Sequence, residues 1–405
     1  MSGPRAGLAA LLLLAGCGPQ DPCPHPKELV LDFLPGESPA TWVVVDPAAT
    51  EGALPLAGEL VALAAGADAG IVAGGWLTGP AGPKLWAASL DAQLCVQHAW
   101  IAELGPAGAR PSELVALPDG GLLAGGTAPG PGVGNDEAWV ARFDGRGKRL
   151  WSVVEGEFLY VSGLFETPSR EVVTALSLLP DGGIAAAGGA DVNGALYSNW
   201  VMLLEADGRV RRRIDLPRDD PRTPGDLAAV VPQADGSLWL AGTLDPAGAE
   251  ADAWVLAVTA DSTLLWDRRY AAAGWQGVAA ATLQGPALLL AGARQALGGR
   301  DAWLALLDGE GEMVLSQSLR RGEEGGDGGL LAVAPAGDGL LAAGTSAGGW
   351  LLRLDELGRP LASTALPGAG ALGAAVQLPD GRALGGGRAG AEGPPLLVLL
   401  PPSHS

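Results

Sequence analysis

The sequence predicts an all-β protein, a β-propeller of seven four-stranded blades whose last blade is closed by an N-terminal strand. One unit of short apolar runs recurs seven times at intervals of 42 to 63 residues. Asp-Gly pairs separate the runs and favour two-residue hairpin turns, because Asp and Gly tolerate positive φ best. After residue 16 no stretch keeps the 3.6-residue apolar period of a helix. Four strands in a repeat of this length are typical of a propeller.

Residues 1–16 have the features of a lipoprotein signal peptide. Arg5 supplies a positive charge, and the apolar stretch Ala6 to Ala15 is too short to span a bilayer. Leu14-Ala15-Gly16-Cys17 resembles the lipobox of bacterial lipoproteins, which implies cleavage before Cys17 and lipidation of that residue. The alternative is an ordinary secretory signal with an incidental cysteine. We expect a lipid-anchored protein of the bacterial cell envelope, with the outer membrane favoured because Gly18 replaces the retention Asp of inner-membrane lipoproteins.

Residues 17–40 are expected to form a lipidated tether. The remaining two cysteines, Cys23 and Cys95, make an even pair in an oxidising compartment, where disulfides persist. Two interpretations stay open: a disulfide between them, or a buried Cys95 thiol and an exposed Cys23 thiol. Two cysteines and three histidines are too few for a structural zinc site, and we expect no metal.

Residues 41–400 are expected to form the propeller, and 401–405 a short tail. In the clearest unit, Glu113 to Leu117 is the first strand and turns at Asp119-Gly120 into the second. A third strand follows, led by Trp139. It turns at Asp144-Gly145 into a fourth strand that carries Trp151. The predicted units cover residues 57–103, 112–155, 172–216, 226–270, 277–320, 329–366 and 372–400, with 41–46 added to the last.

Two kinds of residue mark every unit or nearly every unit. A pair of small residues ends the second strand, and we expect its glycines to let neighbouring blades approach closely. A tryptophan belongs to the third strand in six units and is expected to fill the space between blades, its indole N–H reaching a carbonyl. The small pairs are Gly74-Gly75, Gly125-Gly126, Gly188-Gly189, Gly242-Thr243, Gly292-Ala293, Gly344-Thr345 and Gly386-Gly387, and the tryptophans are Trp86, Trp139, Trp200, Trp254, Trp303 and Trp350.

The seventh unit lacks a fourth strand, since the chain stops at Pro401-Pro402 after the third. Thr41 to Val45 is an apolar run at the other end of the propeller region and is the expected donor. Its pairing into the last blade would remove two exposed sheet edges. It would also bring Cys23 towards the first blade, where Cys95 lies.

The whole pattern, of Asp-Gly-Gly, Ala-Gly-Gly/Thr, Asp-x-Trp and Asp-x-x-Gly, resembles the β-propeller repeats of secreted bacterial proteins. Such repeats are common in lipoproteins of myxobacteria and their relatives. The resemblance covers about residues 41 to 400. It implies the fold and an envelope location, but it implies no activity, because that group shares none.

Composition and motifs exclude several functions. The formal net charge of −20 argues against nucleic acid, whose phosphates require a basic face. Gly344-Thr-Ser-Ala-Gly348 has the spelling of a nucleophile elbow, and Gly368-Ala-Gly-Ala-Leu-Gly373 that of a dinucleotide fingerprint. Both fall within strand repeats and not before a helix, as those sites need. We therefore expect no catalytic residues and no cofactor.

One long insertion, Glu155 to Val172, carries the cluster of non-Trp aromatic residues in the chain. Its residues Phe158, Tyr160, Phe165 and Glu166 are the candidate binding loop. The alternative is a solvated acidic loop.

The connections after the second and fourth strands also vary between units, and in a propeller these share one face, called here the variable-loop face. Examples are Ala128 to Asp136, Ala190 to Ser198 and Arg294 to Arg300. Because variable loops on a fixed scaffold usually carry recognition, we expect the ligand there. The functional hypothesis is a monomeric, non-enzymatic scaffold that binds an envelope protein or glycan, anchored to the membrane by its lipid. The rival hypothesis is a propeller-type enzyme, either a quinone-cofactor dehydrogenase or a carbohydrate-active hydrolase or lyase.

Overall fold

A computed structural model of the chain describes most of the repeat region. The described residues are 28–33, 41–44, 58–66, 70–77, 82–91, 96–130, 135–156, 170–192, 195–216, 225–259, 261, 263–321, 328–337, 339–346, 348–366, 370–388 and 395–400. Every regular element among them is a β-strand, which confirms the predicted all-β class.

The strands follow one another in sets that we number as units 1 to 7. Two strands precede them, β1 (Glu28–Phe33) and β2 (Thr41–Val44). Unit 1 contains β3 (Gly58–Ala65), β4 (Ile71–Leu77), β5 (Lys84–Leu90) and β6 (Val96–Glu103). Unit 2 contains β7 (Arg110–Ala116), β8 (Leu122–Pro129), β9 (Asp136–Phe143) and β10 (Arg149–Glu155). Unit 3 contains β11 (Arg170–Leu178), β12 (Ile184–Val192), β13 (Ala195–Leu204) and β14 (Val210–Asp215).

The later units repeat this plan. Unit 4 contains β15 (Gly225–Pro232), β16 (Leu238–Leu244), β17 (Asp252–Val258) and β18 (Leu264–Tyr270). Unit 5 contains β19 (Gln276–Gln284), β20 (Ala287–Ala296), β21 (Gly299–Leu307) and β22 (Met313–Arg321). Unit 6 contains β23 (Gly328–Ala336), β24 (Gly339–Ser346), β25 (Gly349–Leu354) and β26 (Pro360–Leu366). Unit 7 contains β27 (Leu372–Gln377), β28 (Ala383–Arg388) and β29 (Pro395–Leu400).

Each unit is an antiparallel sheet in which successive strands are neighbours. Units 2 and 3 form one continuous sheet through a single parallel pair, Arg170 with Asp136. In unit 7 the fourth position is taken by β2, which lies antiparallel to β29 with Thr41 opposite Leu399. Strand β1 adds a parallel fifth strand to the outer edge of unit 5. It falls in the segment expected to be a tether, where no strand was predicted.

The hydrophobic core lies between units rather than inside them. Among the described residues, seven clusters of buried side chains each combine two neighbouring units. One of these clusters joins Leu384 and Leu397 of unit 7 to Leu60 and Trp86 of unit 1. Unit 7 therefore packs against unit 1 in the same way as consecutive units pack against each other.

The hairpin turns differ from the predicted two-residue type. In unit 2, Leu117 accepts a hydrogen bond from Gly120 N and donates one to Gly121 O, so the loop has three residues. Gly120 adopts a positive φ of 83°, whereas Asp119 does not and instead accepts a hydrogen bond from Gly121 N through its carboxylate. The next turn has the same form, with positive φ at Gly147. These are three-residue turns with a glycine in the left-handed position.

Every first strand contains a β-bulge opposite a glycine of the second strand. A Cβ on that glycine would collide with a carbonyl oxygen of the first strand, as Gly75 would with Glu59 and Gly126 with Arg110. At this glycine the close contact is internal to the unit. The predicted close approach of neighbouring blades is found at the preceding glycine of the pair, where a Cβ on Gly74 would collide with Leu122 of unit 2 and one on Gly125 with Val173 of unit 3. The bulged residues are Val61, Ser112, Thr174, Ala228, Ala279, Leu331 and Gly373.

The six third-strand tryptophans are at most 2% exposed and are the largest fully buried side chains. In four of the six, the indole N–H binds a side chain of the fourth strand rather than a carbonyl. Trp139 Nε1 donates to Ser152 Oγ over 2.9 Å, and the same bond joins Trp303 to Ser316 and Trp350 to Ser363, while Trp254 uses Asp267. The equivalent positions for Trp86 and Trp200 are Ala99 and Arg213.

Candidate functional site

A cavity of about 510 Å³ lies at the centre of the ring. Its wall is formed by the first strand of every unit, so it is a channel along the ring axis. Most of the lining residues have apolar side chains, with alanine, valine and leucine from units 3 to 6, and polar atoms of the backbone also face the cavity. The titratable side chains of its lining are Glu59 and Glu113, from units 1 and 2.

Glu113 replaces an alanine that occupies the same place in each of the other units. It immediately follows the bulge of β7, and protein surrounds it on all sides, although the channel leaves part of its surface open. Burial raises the pKa of the Glu113 carboxyl to about 8. Among the residues that the structure describes, none forms a hydrogen bond or ion pair with it. The six equivalent residues are Ala62, Ala175, Ala229, Ala280, Ala332 and Ala374.

Two further channel residues come from unit 1. Glu59 of β3 lies opposite Trp76 of β4, and both are partly buried in the channel wall. Trp76 also departs from the repeat, because the residue after the bulge-facing glycine is small in five other units and Arg388 in unit 7. First strands begin and second strands end at the variable-loop face, so this pair lies at that end of the channel.

Units 4 and 5 carry the most prominent feature of the variable-loop face. The hairpin of β20 and β21 stays paired as far as Ala296 and Gly299, so the segment predicted as a loop, Arg294 to Arg300, is mostly strand. At the tip, Leu297 is 95% exposed. Arg300 places its guanidinium 3.9 Å from the ring centre of Trp275. We call Trp275, Leu297 and Arg300 the hairpin patch.

A second predicted loop is also shorter than expected. In the segment Ala190 to Ser198, pairing of β12 with β13 continues to Val192 and Ala195. In these two units the segment predicted as a loop is therefore largely an extended hairpin, with two residues between the strands.

A groove of about 700 Å³ separates the outer strands of units 4 and 5, but its charges are already paired. Arg268 contacts Glu312 over 2.8 Å. In units 4 and 5 the Asp of the Asp-x-Trp pattern is buried and binds an arginine of the fourth strand. In unit 5, Asp301 accepts two hydrogen bonds from Arg320, of 2.9 and 2.7 Å. The groove lining also includes Tyr270, whose hydroxyl donates to Gly311 O over 2.6 Å and whose pKa is raised by burial. The contacts of Arg268 with Glu312 and of Tyr270 with Gly311 join unit 4 to unit 5, whereas the pair of Asp301 and Arg320 lies within unit 5.

An ion pair replaces the tryptophan hydrogen bond in unit 3. Arg213 binds both carboxylate oxygens of Glu171, at 2.9 and 3.1 Å, and lies 5.0 Å from the ring centre of Trp200. Glu171 is only 1% exposed. The pair links the first and fourth strands of the unit across the buried indole.

The residues predicted as sites from the sequence all fall outside the described part of the chain. They are Cys17, Cys23 and Cys95, and the candidate binding loop Phe158, Tyr160, Phe165 and Glu166. Lipidation, the disulfide and the binding loop stay predictions. The channel residues Glu59, Trp76 and Glu113 were missed, although aligning the first strands would show a glutamate in a column of alanines.

Within the described ranges, no group of three or more His, Cys, Asp and Glu side chains is placed to hold a metal ion. In the same part of the chain, no helix is both long enough and apolar enough to cross a membrane.

The chain is similar to solved structures but matches no family model and no curated protein. The WD40 domain of Neurospora crassa Pan2 is 12% identical over 93% of this chain and 99% of its own, with a TM-score of 0.54. The periplasmic gluconolactonase PpgL of Pseudomonas aeruginosa is 18% identical over 76% of this chain and 85% of its own, with a TM-score of 0.49. A Bacteroides caccae protein of unknown function is 13% identical over 76% and 94%, with a TM-score of 0.42. The likeness to the WD40 domain shows a β-propeller fold and no activity.

Proposed function

We propose that this chain is a lipid-anchored, non-enzymatic binding protein of the bacterial cell envelope, with its partner, a protein or a glycan, on the variable-loop face. The observation that carries the proposal is the hairpin patch. Leu297 is 95% exposed, whereas Leu361, the next most exposed large apolar side chain among the described residues, is 60% exposed.

The chemistry of the patch suits a binding surface. Tryptophan and arginine are the residues most enriched among those that dominate binding energy at interfaces. Trp275 is held in place by a hydrogen bond from its indole to Pro246 O of 3.1 Å, and Arg300 is ordered by stacking on its ring. Binding to such a prearranged surface loses little side-chain entropy.

The envelope location is supported by the first 17 residues alone. Replacing Cys17 with serine should release the protein from the membrane fraction, because the thiol that carries the lipid is lost. A protein that stays in the membrane fraction after this change would contradict the lipid anchor.

Crosslinking in intact cells tests the partner surface. A crosslinked partner should be lost in Leu297→Asp and in Arg300→Glu, which place a charge or reverse one in the patch. The matched control is Leu357→Asp, because Leu357 is 50% exposed in a turn on the opposite face of the ring. Equal crosslinking in all three variants would refute the patch as the binding surface. Turnover of a polysaccharide or a quinone-linked substrate, abolished by Glu113→Gln, would establish the rival enzyme.

A further inference from the structure

Two residues that break the repeat, Trp76 and Glu113, line the same side of the channel together with Glu59. Glu59 and Trp76 come from unit 1, Glu113 comes from the adjoining first strand of unit 2, and all three line one cavity. Elsewhere the same wall is built mainly from small and aliphatic side chains. The departures are thus concentrated on one side of the channel.

The fold itself does not require a carboxyl at Glu113, since six units build the same bulge with alanine. A buried carboxyl without a counter-charge is unfavourable when ionised and is otherwise held protonated, and alanine at the same place avoids this cost. A ligand that supplies the counter-charge would account for the presence of Glu113 at a position where the other six units have alanine.

Among the residues that the structure describes, no cation provides that charge. Elements β4 and β8 carry no charged residue, and β3 contributes only Glu59. On β11 the charged residues are Arg170, which lies 3.7 Å from Asp136, and Glu171, which Arg213 holds. On β7 itself Arg110 also contacts Asp136, over 3.7 Å.

The lining also indicates what kind of cation would fit. In the described part of the chain the channel brings together two carboxylates, and no group of three or more His, Cys, Asp and Glu side chains is placed there to hold a metal ion. An indole ring attracts organic cations through its face, and methyl groups of the alanine, valine and leucine wall would bury their carbon atoms. A volume of about 510 Å³ is of the size that encloses small molecules.

We infer that the central channel binds a small organic cation, a protonated amine with an apolar body, whose charge is held by Glu113 in a channel that Glu59 and the ring of Trp76 also line. This site is separate from the hairpin patch, and the inference goes beyond the proposed partner surface and does not depend on it.

Isothermal titration calorimetry with hexylamine on the full chain, purified in detergent, tests the inference. Hexylammonium should bind at pH 8 at least tenfold more tightly than 1-hexanol or hexanoate, which have the same carbon chain without the positive charge. Glu113→Ala and Glu113→Gln should each weaken hexylammonium at least tenfold. The alanine variant is well suited because it restores the residue of the other six units. Glu103→Gln is the control, since Glu103 is exposed and paired with Lys84 outside the channel.

The pH dependence gives a second readout. A bound ammonium favours the carboxylate form of Glu113, so binding below pH 8 must release its proton. Affinity should therefore rise about tenfold per pH unit from pH 5.5 to 7.5 and level off near pH 8. Glu113→Gln should remove this dependence.

Several outcomes would overturn the inference: equal binding of hexylammonium and 1-hexanol, unchanged affinity in Glu113→Ala, calcium binding in place of the amine, or no binding of hexylammonium. Leu297→Asp separates the two proposals, because it should abolish partner crosslinking and leave amine affinity unchanged.

Discussion

The indole N–H of Trp86 lacks the hydrogen bond that four of its counterparts make, and adding one hydroxyl to the facing residue would supply the acceptor. Trp86 is 0% exposed, and its Nε1 has no hydrogen-bond partner among the described residues. Serine fills the equivalent place in three units, but here it is Ala99. An Ala99→Ser substitution should raise the free energy of unfolding by about 1 kcal/mol. The new bond is worth about 1 kcal/mol net, and an unsatisfied buried donor costs about 1–3 kcal/mol.

Urea unfolding followed by tryptophan fluorescence measures the effect. The reverse changes, Ser152→Ala, Ser316→Ala and Ser363→Ala, should each lower the free energy of unfolding by about 1–3 kcal/mol, because each leaves a buried indole unpaired. Ala102→Ser is the matched control, since Ala102 lies on the same strand but packs towards unit 2 and away from Trp86. If Ala99→Ser gives no gain over Ala102→Ser while the three serine variants are destabilised, the assumed equivalence of unit 1 is wrong.

Three further predictions concern stability. Because folding raises the pKa of Glu113 from 4.5 to about 8, the folded state holds a proton that the unfolded state has lost, so stability should fall as pH rises through this range. Glu113→Ala should remove that fall in urea titrations at pH 5 and pH 8, and an unchanged slope would contradict the buried carboxyl. Glu171→Gln should cost about 3 kcal/mol of unfolding free energy because it removes the buried carboxylate that binds Arg213 through two bonds and leaves this arginine with the exposed Asp215, at 3.5 Å, whereas an effect below about 1 kcal/mol would mean that the pair is solvated. Changing both Trp42 and Val43 to proline should lower the melting temperature. In an antiparallel pair one of any two adjacent residues donates its backbone N–H to the partner strand, here β29, and proline has no N–H to donate. An unaltered melting curve would refute that pairing.

The fold was predictable because each repeat contains the same turn residues and the same buried positions. Trp303 shows this well: it was expected to be buried between blades, and it is 0% exposed in the core that units 4 and 5 share. Details that depend on register were not predictable. The bulge at Ser112 and the collision that forces glycine at position 126 appear only when two strands are aligned.

The candidate site was predicted less well, and for a physical reason. Sequence patterns direct attention to irregular segments, such as Arg294 to Arg300, whose extra length proved to be a longer hairpin. Glu113 lies in the middle of a regular first strand, where a single carboxyl does not alter the apolar pattern. Its significance depends on facing a channel, which is a property of the closed arrangement of all first strands.

The placement of the cores between units has a consequence for how this molecule can change. Each unit contributes one half of two cores, so a single unit has no interior of its own and gains one only from its neighbours. Removing a unit leaves two surfaces from different cores facing each other, with side chains selected for other partners. Substitution within a unit is therefore a local event, whereas a change in the number of units alters the fit of the whole ring.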